Sequence, residues 1–355
     1  MYFILLILTL FDFQYYKYSS QSTNFTQNYH IKMNNNIIEI SKNLEQYIEN
    51  QFNSKFPLNL YEPIKYIMNI GGKRIRPILL LLSYKLYRSD YHKAIPSAFA
   101  IELFHNFSLV HDDIMDKAPI RRGYPTVHVK YNENSAILSG DVMLIYVYEY
   151  LLKNIENQYD NIFSTFNRTA IEVCEGQQMD IDFEIKDNVS IVDYIHMIEL
   201  KTAVLIGAAL KIGGILGGAD DNDSKYLYNF GVNLGIAFQI QDDILDTFGD
   251  STKFGKKIGG DIINNKKTLL YLLALQNSNS DQIDALKNAY LEKNETFKIK
   301  KVTHIFDELD IKTVASEYQK KYYKTAFENL EKISVESSKK EELINLTTNL
   351  FLREQ

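Results

Sequence analysis

The chain has 355 residues and a net charge of −6, and 45% of its residues are hydrophobic. This composition excludes a wholly disordered chain, and the lack of a net positive charge disfavours nucleic acid as a partner. Only 16 glycines and 6 prolines occur, and no proline follows Pro125, so a mostly helical protein is expected instead of a turn-rich sandwich or barrel.

The N-terminal segment differs in character from the rest of the chain. Met1 to Phe11 is an apolar run that is too short to span a bilayer. No basic residue precedes it and no small-residue cleavage site follows it, so it is a poor secretory signal. We interpret residues 1–32 as a disordered extension or a start-site artefact, with a weak membrane anchor and a signal peptide as alternatives. Stable membrane insertion is not expected.

The cysteine content indicates the compartment. Cys174 is the only cysteine, which excludes an internal disulfide and a Cys-rich zinc site. A single free thiol fits a reducing environment. We therefore expect a cytoplasmic protein.

From Ile37 onward, apolar residues recur at three- and four-residue spacing, which is the period of an amphipathic helix. The blocks with this period are Ile37–Phe52, Pro77–Tyr87, Ile95–Asp113, Ala136–Leu152, Asp160–Gln178, Ile191–Leu210, Asp223–Asp246, Thr268–Leu275, Ser280–Asn288, Lys312–Ile333 and Glu341–Leu352. The pattern predicts one all-α domain over residues 33–355, a large bundle of ten or more helices. The polar stretch Lys293–Lys301 is interpreted as a loop or a frayed helix end.

Two aspartate-rich motifs of the pattern DDxxD end two of the predicted helices. They place carboxylates at Asp112, Asp113 and Asp116 and, 130 residues later, at Asp242, Asp243 and Asp246. The first and last aspartates of each motif lie one helical turn apart on one face. Mg²⁺ is usually held by one or two carboxylates together with waters and substrate phosphates. Two such rows facing each other would hold a cluster of Mg²⁺ ions around a diphosphate.

Basic residues and glycines accompany both motifs. They lie in the segments Gly71–Pro77, Arg121–Gly123 and Phe254–Asp261, with Lys266 nearby. Arginine binds phosphate oxygens in bidentate fashion, and glycine lets the backbone approach a ligand. Beside two carboxylate rows, these segments predict a pocket for an anion.

In these motifs the chain resembles the trans-isoprenyl diphosphate synthases, the family of farnesyl and geranylgeranyl diphosphate synthases. The segments GGKRIRP, LVHDDIMD with RRGYPTVH, GDVML, EGQQMD, Lys201-Thr202, FQIQDDILD and GKKIGGD occur in the order of that family, over roughly residues 37–352. The resemblance implies an all-α bundle around a central cavity and a homodimer. It also implies Mg²⁺-dependent condensation of isopentenyl diphosphate with an allylic diphosphate.

The resemblance implies a role for each motif residue. The metal-binding carboxylates are Asp112, Asp113, Asp116, Asp242, Asp243 and Asp246. The residues that bind the allylic diphosphate are Arg121, Lys201, Thr202, Gln239, Lys256, Lys257 and Lys266. Those that bind isopentenyl diphosphate are Lys73, Arg76, His105 and Arg122. Gln177 and Asp180 are placed near the carbocation, and the groups assigned to catalysis are Asp112, Asp116, Asp242, Lys201 and Arg121.

The length of the product is expected to depend on the floor of the cavity. Phe107 and Ser108 precede Asp112 by five and four residues, and one aromatic residue at these positions resembles the family members that make geranylgeranyl diphosphate. A product of fifteen to twenty carbons is expected, with twenty favoured. The alternatives are a longer-chain synthase, a class I terpene cyclase, which a second DDxxD disfavours, and a non-catalytic subunit, which the intact motifs disfavour.

Overall fold

The computed structural model describes residues 35–153, 155, 158–186, 188–249 and 258–352. The extension predicted at residues 1–32 lies outside the described residues, as do Lys256 and Lys257. The limits of the predicted domain therefore stay a prediction.

Helices make up most of the described chain, which confirms the all-α prediction. They are α1 Asn35–Glu49, α2 Leu58–Asn69, α3 Ile75–Lys85, α4 Ile95–Met115, α5 Val127–Lys130, α6 Glu133–Leu151, α7 Tyr159–Ile185, α8 Ile191–Ile198, α9 Val204–Gly217, α10 Asp221–Phe248, α11 Gly260–Ile263, α12 Leu269–Asn277, α13 Ser280–Tyr290, α14 Glu295–Glu308, α15 Ile311–Glu331 and α16 Ser337–Leu352. A 3₁₀ turn, Tyr91–Ala94, precedes α4, and a π-helical turn, Glu199–Ala203, joins α8 to α9. The only strands among the described residues are the two-residue β1 Ile120–Arg121 and β2 Tyr124–Pro125, which pair antiparallel.

The apolar pattern missed the short helices α5 and α11 and two longer helices, α2 and α14. The interpretation of Lys293–Lys301 as a loop or frayed end is wrong, because α14 begins at Glu295 and the Asn294 side chain accepts a hydrogen bond from the Phe297 backbone N–H. Helix α2 contains Pro63, which masked its helical pattern. Both helices form because they bury apolar side chains, such as Ile67 in α2.

The core positions both aspartate motifs. Helix α10 packs against α9 and α15, while α4 packs against α3 and α6, and α9 also packs against α3. At that last crossing a Cβ on Gly213 would lie 2.1 Å from the Leu80 carbonyl oxygen, so only glycine allows this approach. The first motif lies at the C-terminal end of α4 and the second near the C-terminal end of α10.

One helical segment of the described chain, Ile191–Gly217, is long and apolar enough to cross a membrane by length and composition. Its most apolar window has a mean hydropathy of 1.6, and 78% of that window is buried within the protein. Burial among the other helices accounts for this apolar character.

Candidate active site

The first aspartate motif is braced by the β-hairpin that follows it. Asp113 is 1% exposed, and its two carboxylate oxygens accept hydrogen bonds from Arg121 Nη2 and Nε, each at 2.8 Å. Arg121 Nη2 also lies 3.3 Å from Asp112 Oδ2. Burial alone would lower the pKa of Arg121, but Asp113 and Asp112 outweigh it and raise that pKa. Asp113 is therefore anchored, while Asp112 and Asp116 are more exposed.

A carboxylate between two ammonium groups lies beside the first motif. Asp180 Oδ2 is 2.7 Å from Lys201 Nζ and 3.5 Å from Lys266 Nζ, and Lys201 Nζ is also 3.4 Å from Asp112 Oδ1. Burial would raise the pKa of Asp180, but the two lysines outweigh it and lower that pKa. We call Asp180, Lys201 and Lys266 the lysine cluster. It joins α7, the π-helical turn and the loop before α12.

The π-helical turn explains how Lys201 reaches this position. Such turns are rare and widen the helix locally, often at functional sites. Helix α7 crosses the turn at Gly176, where a Cβ would lie 2.2 Å from the Lys201 backbone nitrogen. The absence of a side chain at Gly176 brings α7 close enough for Asp180, one turn further along, to contact Lys201.

The middle aspartate of the second motif is also buried and anchored. Asp243 is 3% exposed, and its Oδ2 accepts hydrogen bonds from the Tyr194 hydroxyl and, at 3.4 Å, from the Leu269 backbone N–H. Its Oδ1 accepts one at 3.3 Å from Gln239 Nε2, and Gln239 Oε1 accepts one at 3.4 Å from the Thr202 hydroxyl. Burial raises the pKa of Asp243 well above its usual range, and the negative charge of Asp261 adds to this effect. Asp242, in contrast, is exposed.

Asp261 and Tyr194 were missed by the sequence reasoning. Asp261 follows the second motif in α11, and its backbone N–H donates to Asp246 Oδ2 at 3.0 Å. Burial, together with the charge of Asp246, raises the pKa of Asp261 to about 7, and Lys266 opposes this shift. Asp261 could have been found from the sequence, because it ends the family segment GKKIGGD. Tyr194 could not, because it lies in an apolar helix and resembles any other core residue.

A cavity of about 110 Å³ lies between α7, α8, the π-helical turn and the loop before α12. Its lining residues are Asp180, Phe183, Glu184, Tyr194, Met197, Ile198, Lys201, Thr202, Gln239, Asp243, Asp261, Lys266, Lys267 and Thr268. Near Asp180 on α7, the buried Gln177 Nε2 has no hydrogen-bond partner among the described residues. Acidic, basic and apolar groups thus meet in one cavity.

The predicted floor residues lie elsewhere. Phe107 is 9% exposed, and its ring centroid lies 5.6 Å from that of Phe104 and 4.8 Å from that of His111. The Ser108 hydroxyl donates to the His105 carbonyl at 2.8 Å. Neither Phe107 nor Ser108 lines the cavity described above. Their role in setting product length stays a prediction.

A second basic region lies at the start of α3. Arg76 Nη1 is 3.2 Å from His105 Nε2, and an Arg122 Nη1 group donates to the Gly71 carbonyl. Arg76 Nε is buried with no hydrogen-bond partner among the described residues, and Lys73 is exposed on the same loop. Burial and the nearby charges of Arg76 and Arg122 hold the pKa of His105 well below its usual range. These closely spaced cationic groups suit a bound anion.

The residues on the open side of the motifs fit a magnesium cluster in their chemistry. No three His, Cys, Asp or Glu side chains of the described chain come together as a ready-made metal cage. The candidate metal ligands on this side are carboxylates. The pKa of Asp116 is raised by burial and by the negative charge of Asp112. A cation would relieve this repulsion. Mg²⁺ takes oxygen ligands and completes its shell with water and substrate phosphates, so it does not need a full protein cage.

Comparison with known proteins identifies the family. Residues 57–309 match the model of the polyprenyl synthetase family. The chain belongs to this family. The synthetase is 38% identical over 317 residues to a geranylgeranyl pyrophosphate synthase of Geoglobus acetivorans, which covers 88% of this chain and 97% of the relative. It is 37% identical over 257 residues to a geranylfarnesyl diphosphate synthase of Natronomonas pharaonis, covering 67% of this chain and 75% of the relative.

The fold of this polyprenyl synthetase agrees with the same relationship. The crystal structure of a geranylgeranyl pyrophosphate synthetase from Pyrococcus horikoshii superimposes on it with a TM-score of 0.83 at 35% sequence identity. The superposition covers 90% of this chain and 98% of that structure. The predicted class, a prenyltransferase that synthesises short-chain trans-prenyl diphosphates, is thereby confirmed.

Proposed function

We propose that this polyprenyl synthetase condenses isopentenyl diphosphate head to tail with an allylic diphosphate in a Mg²⁺-dependent reaction. The observation that carries the proposal is the presence of two sites of different charge. One has carboxylates around the lysine cluster, where Lys201 contacts both Asp180 and Asp112. The other, around Arg76 and His105, is basic. Two different diphosphates need two such sites.

In this proposal the allylic diphosphate lies between the two aspartate motifs. Asp112, Asp116 and Asp242 would hold the Mg²⁺ ions, because Asp113 and Asp243 are buried and anchored by other side chains. When bound, Mg²⁺ supplies Lewis-acid stabilisation of the negative charge on the leaving diphosphate.

The cationic side chains stabilise the same charge as the carbon–oxygen bond breaks. Arg121, Lys201 and Lys266 are fixed in advance by their carboxylate partners, so little reorganisation is needed during the reaction. Asp180 holds the two lysines together. The apolar side of the cavity, including Phe183 and Met197, limits the access of water to the carbocation.

Isopentenyl diphosphate would be bound by Lys73, Arg76, His105 and Arg122. Its double bond then attacks the allylic carbocation, which forms the new carbon–carbon bond. The proton released from the condensed chain passes to the diphosphate that has left, which completes the balance of the reaction.

The proposed product has fifteen to twenty carbons, with twenty favoured. The identities of 38% to a geranylgeranyl and 37% to a geranylfarnesyl diphosphate synthase support products of twenty and of twenty-five carbons about equally. The single aromatic ring of Phe107, next to the small Ser108, supports the shorter of these. A longer-chain synthase is therefore the second candidate.

We further propose that the synthetase is a cytoplasmic homodimer. In the single chain, Leu138 and Ile145 on α6 are 57% and 68% exposed, and Ile171 on α7 is 46% exposed. Exposed apolar side chains on neighbouring helices are typical of a subunit interface. Light scattering on the wild type and on Ile145→Glu tests this, because a dimer contact through α6 would be weakened by the charge.

The test of the function incubates the purified protein with isopentenyl diphosphate, Mg²⁺ and each of the short allylic diphosphates, and then sizes the products. Asp112→Ala and Asp242→Ala are expected to abolish turnover. Asp221→Ala, an exposed aspartate at the other end of α10, is the matched control and should retain it. Failure of the wild type to yield a prenyl diphosphate with any primer would refute the proposal, and cyclic products would indicate a terpene cyclase.

A further inference from the structure

Tyr194 links helix α8 to the second aspartate motif from outside the motif. The tyrosine is 3% exposed, and its hydroxyl donates a hydrogen bond to Asp243 Oδ2. Tyr194 precedes Asp243 by 49 residues, so the contact depends on the packing of α8 against α10. It belongs to none of the segments that identify the family in the sequence.

Asp243 also forms a hydrogen bond with Gln239. The second oxygen of Asp243 accepts a hydrogen bond from Gln239 Nε2, which lies one helical turn earlier on α10. With its amide nitrogen directed at Asp243, Gln239 presents its oxygen to the Thr202 hydroxyl at 3.4 Å. All four side chains line the cavity or the cluster beside it, and the hydrogen bonds form one chain from Tyr194 to Thr202.

The loss of the tyrosine hydroxyl would break the first of these hydrogen bonds and weaken the others. Among the described residues, Asp243 Oδ2 would keep only the long 3.4 Å contact with the Leu269 backbone N–H. A buried carboxylate that lacks a donor is costly, so Asp243 would turn towards other donors or towards water. Gln239 would then be free to rotate its amide away from Thr202.

We propose that Tyr194 is a positioning residue of the reaction, which fixes Asp243 and through it the orientation of the Gln239 amide in the cavity. The proposal rests on the proposed function, because kcat can be measured only if the protein turns over prenyl diphosphates. Tyr194 touches neither the isopentenyl diphosphate site nor the open face of the motif. Its effect is therefore on the rate of the bound complex and not on the affinity for isopentenyl diphosphate.

The chain contains a matched control for a purely structural role. The Tyr87 hydroxyl donates at 2.9 Å to Asp223, which is 3% exposed and lies on the same helix α10. Asp223 precedes Asp243 by 20 residues, or about 30 Å along the helix axis. Tyr87→Phe thus removes the same kind of bond from the same helix far from the cavity.

The experiment compares the wild type with Tyr194→Phe, Tyr87→Phe, Gln239→Leu and the Tyr194→Phe/Gln239→Leu double variant. Thermal unfolding is measured without metal, and kcat and both KM values are measured with it. We expect both tyrosine variants to lower the unfolding midpoint by similar amounts. Only Tyr194→Phe should lower kcat, by at least tenfold and less than the ~100-fold that a 1 Å displacement can cost. Its KM for isopentenyl diphosphate should stay within twofold of the wild type.

The double variant tests the route through Gln239. If Tyr194 acts through this amide, the double variant loses no more kcat than Gln239→Leu alone. Fully additive losses, or a wild-type kcat in Tyr194→Phe, would overturn the proposal. Should Tyr194→Phe fail to fold, Asp243→Asn takes its place, since an amide there cannot accept from both Tyr194 and Gln239. An unchanged kcat in that variant would also overturn it, whereas an inactive wild type would refute the proposed function instead.

Discussion

Replacing Gly176 by alanine tests whether the close approach of α7 to the π-helical turn forms the lysine cluster. The new Cβ would lie 2.2 Å from the Lys201 backbone nitrogen and 2.7 Å from the Leu200 carbonyl carbon. Both neighbours are backbone atoms, so neither can rotate away. Ordinary contacts begin at 3.4 Å, so the two elements must separate by about 1.2 Å (3.4 − 2.2).

This separation should disconnect Asp180 from Lys201. Their contact of 2.7 Å would lengthen to about 3.9 Å, beyond the usual hydrogen-bond range of about 3.2 Å. Overpacking of this kind costs about 1–3 kcal/mol of unfolding free energy. Because a 1 Å displacement of a catalytic group can cost about 100-fold in rate, we expect kcat to fall by one to two orders of magnitude.

Gly213→Ala is the matched control. Its Cβ would lie 2.1 Å from the Leu80 carbonyl oxygen, an equally tight approach at the crossing of α9 and α3, away from the lysine cluster. Urea unfolding and steady-state kinetics are measured for both variants. Both variants should have a lower unfolding free energy than the wild type. Only Gly176→Ala should also have a kcat that falls further than its loss of folded protein explains. Equal losses of kcat in the two variants, or a normal kcat in Gly176→Ala, would refute this reasoning.

Three further outcomes are expected. Phe107→Ala should lengthen the product by about one isoprene unit, because Phe104 lies three residues or about 4.5 Å further along α4 and blocks the growing prenyl chain there. Products of unchanged length by chromatography would contradict this. Phe230→Ala is the control for the loss of a buried ring. The pKa of His105 lies below its ordinary 6.5, so the unfolded chain takes up that proton first and stability falls as the pH drops below 6.5. His105→Gln should flatten this fall in urea midpoints between pH 7.5 and 5.5, and an unchanged slope would count against it. Chelation by EDTA should stop condensation and added Mg²⁺ should restore it, as a radiolabelled-product assay would show.

The sequence predicted the parts of this structure that depend on local pattern. The apolar period placed α4 and α10, and both aspartate motifs lie at the C-terminal ends of those helices as expected. The split of the block Ile191–Leu210 by a π-helical turn was not predictable, because a single extra residue in one turn leaves the apolar period almost unchanged. Lys201 reaches Asp180 through that turn, so their contact was not predicted. The family resemblance implied only that Lys201 and Lys266 bind the diphosphate and that Asp180 lies near the carbocation.

The contacts between distant segments were the least predictable. Arg121 could be linked to the first motif because it follows it by a few residues, but its bidentate bond to Asp113 depends on the β-hairpin. Tyr194 and Asp243 come from separate helices, and nothing in an apolar segment marks one tyrosine as the partner of a carboxylate. Prediction failed where the tertiary packing, and not the local pattern, chose the partner.

The burial of both middle aspartates follows from the geometry of the DDxxD pattern. At about 100° per residue, the first and last aspartates lie about 40° apart around the helix, and the second lies about 100° from the first and about 60° from the last. The second carboxylate therefore lies to one side of the face that the other two share, and in both motifs it points into the packing of neighbouring helices. Because a buried charge without a partner is costly, each motif needs a donor on that side. Arg121 meets this need for Asp113 with a charge, and Tyr194 with Gln239 meets it for Asp243 with neutral groups, so the identity of the anchor distinguishes the two motifs.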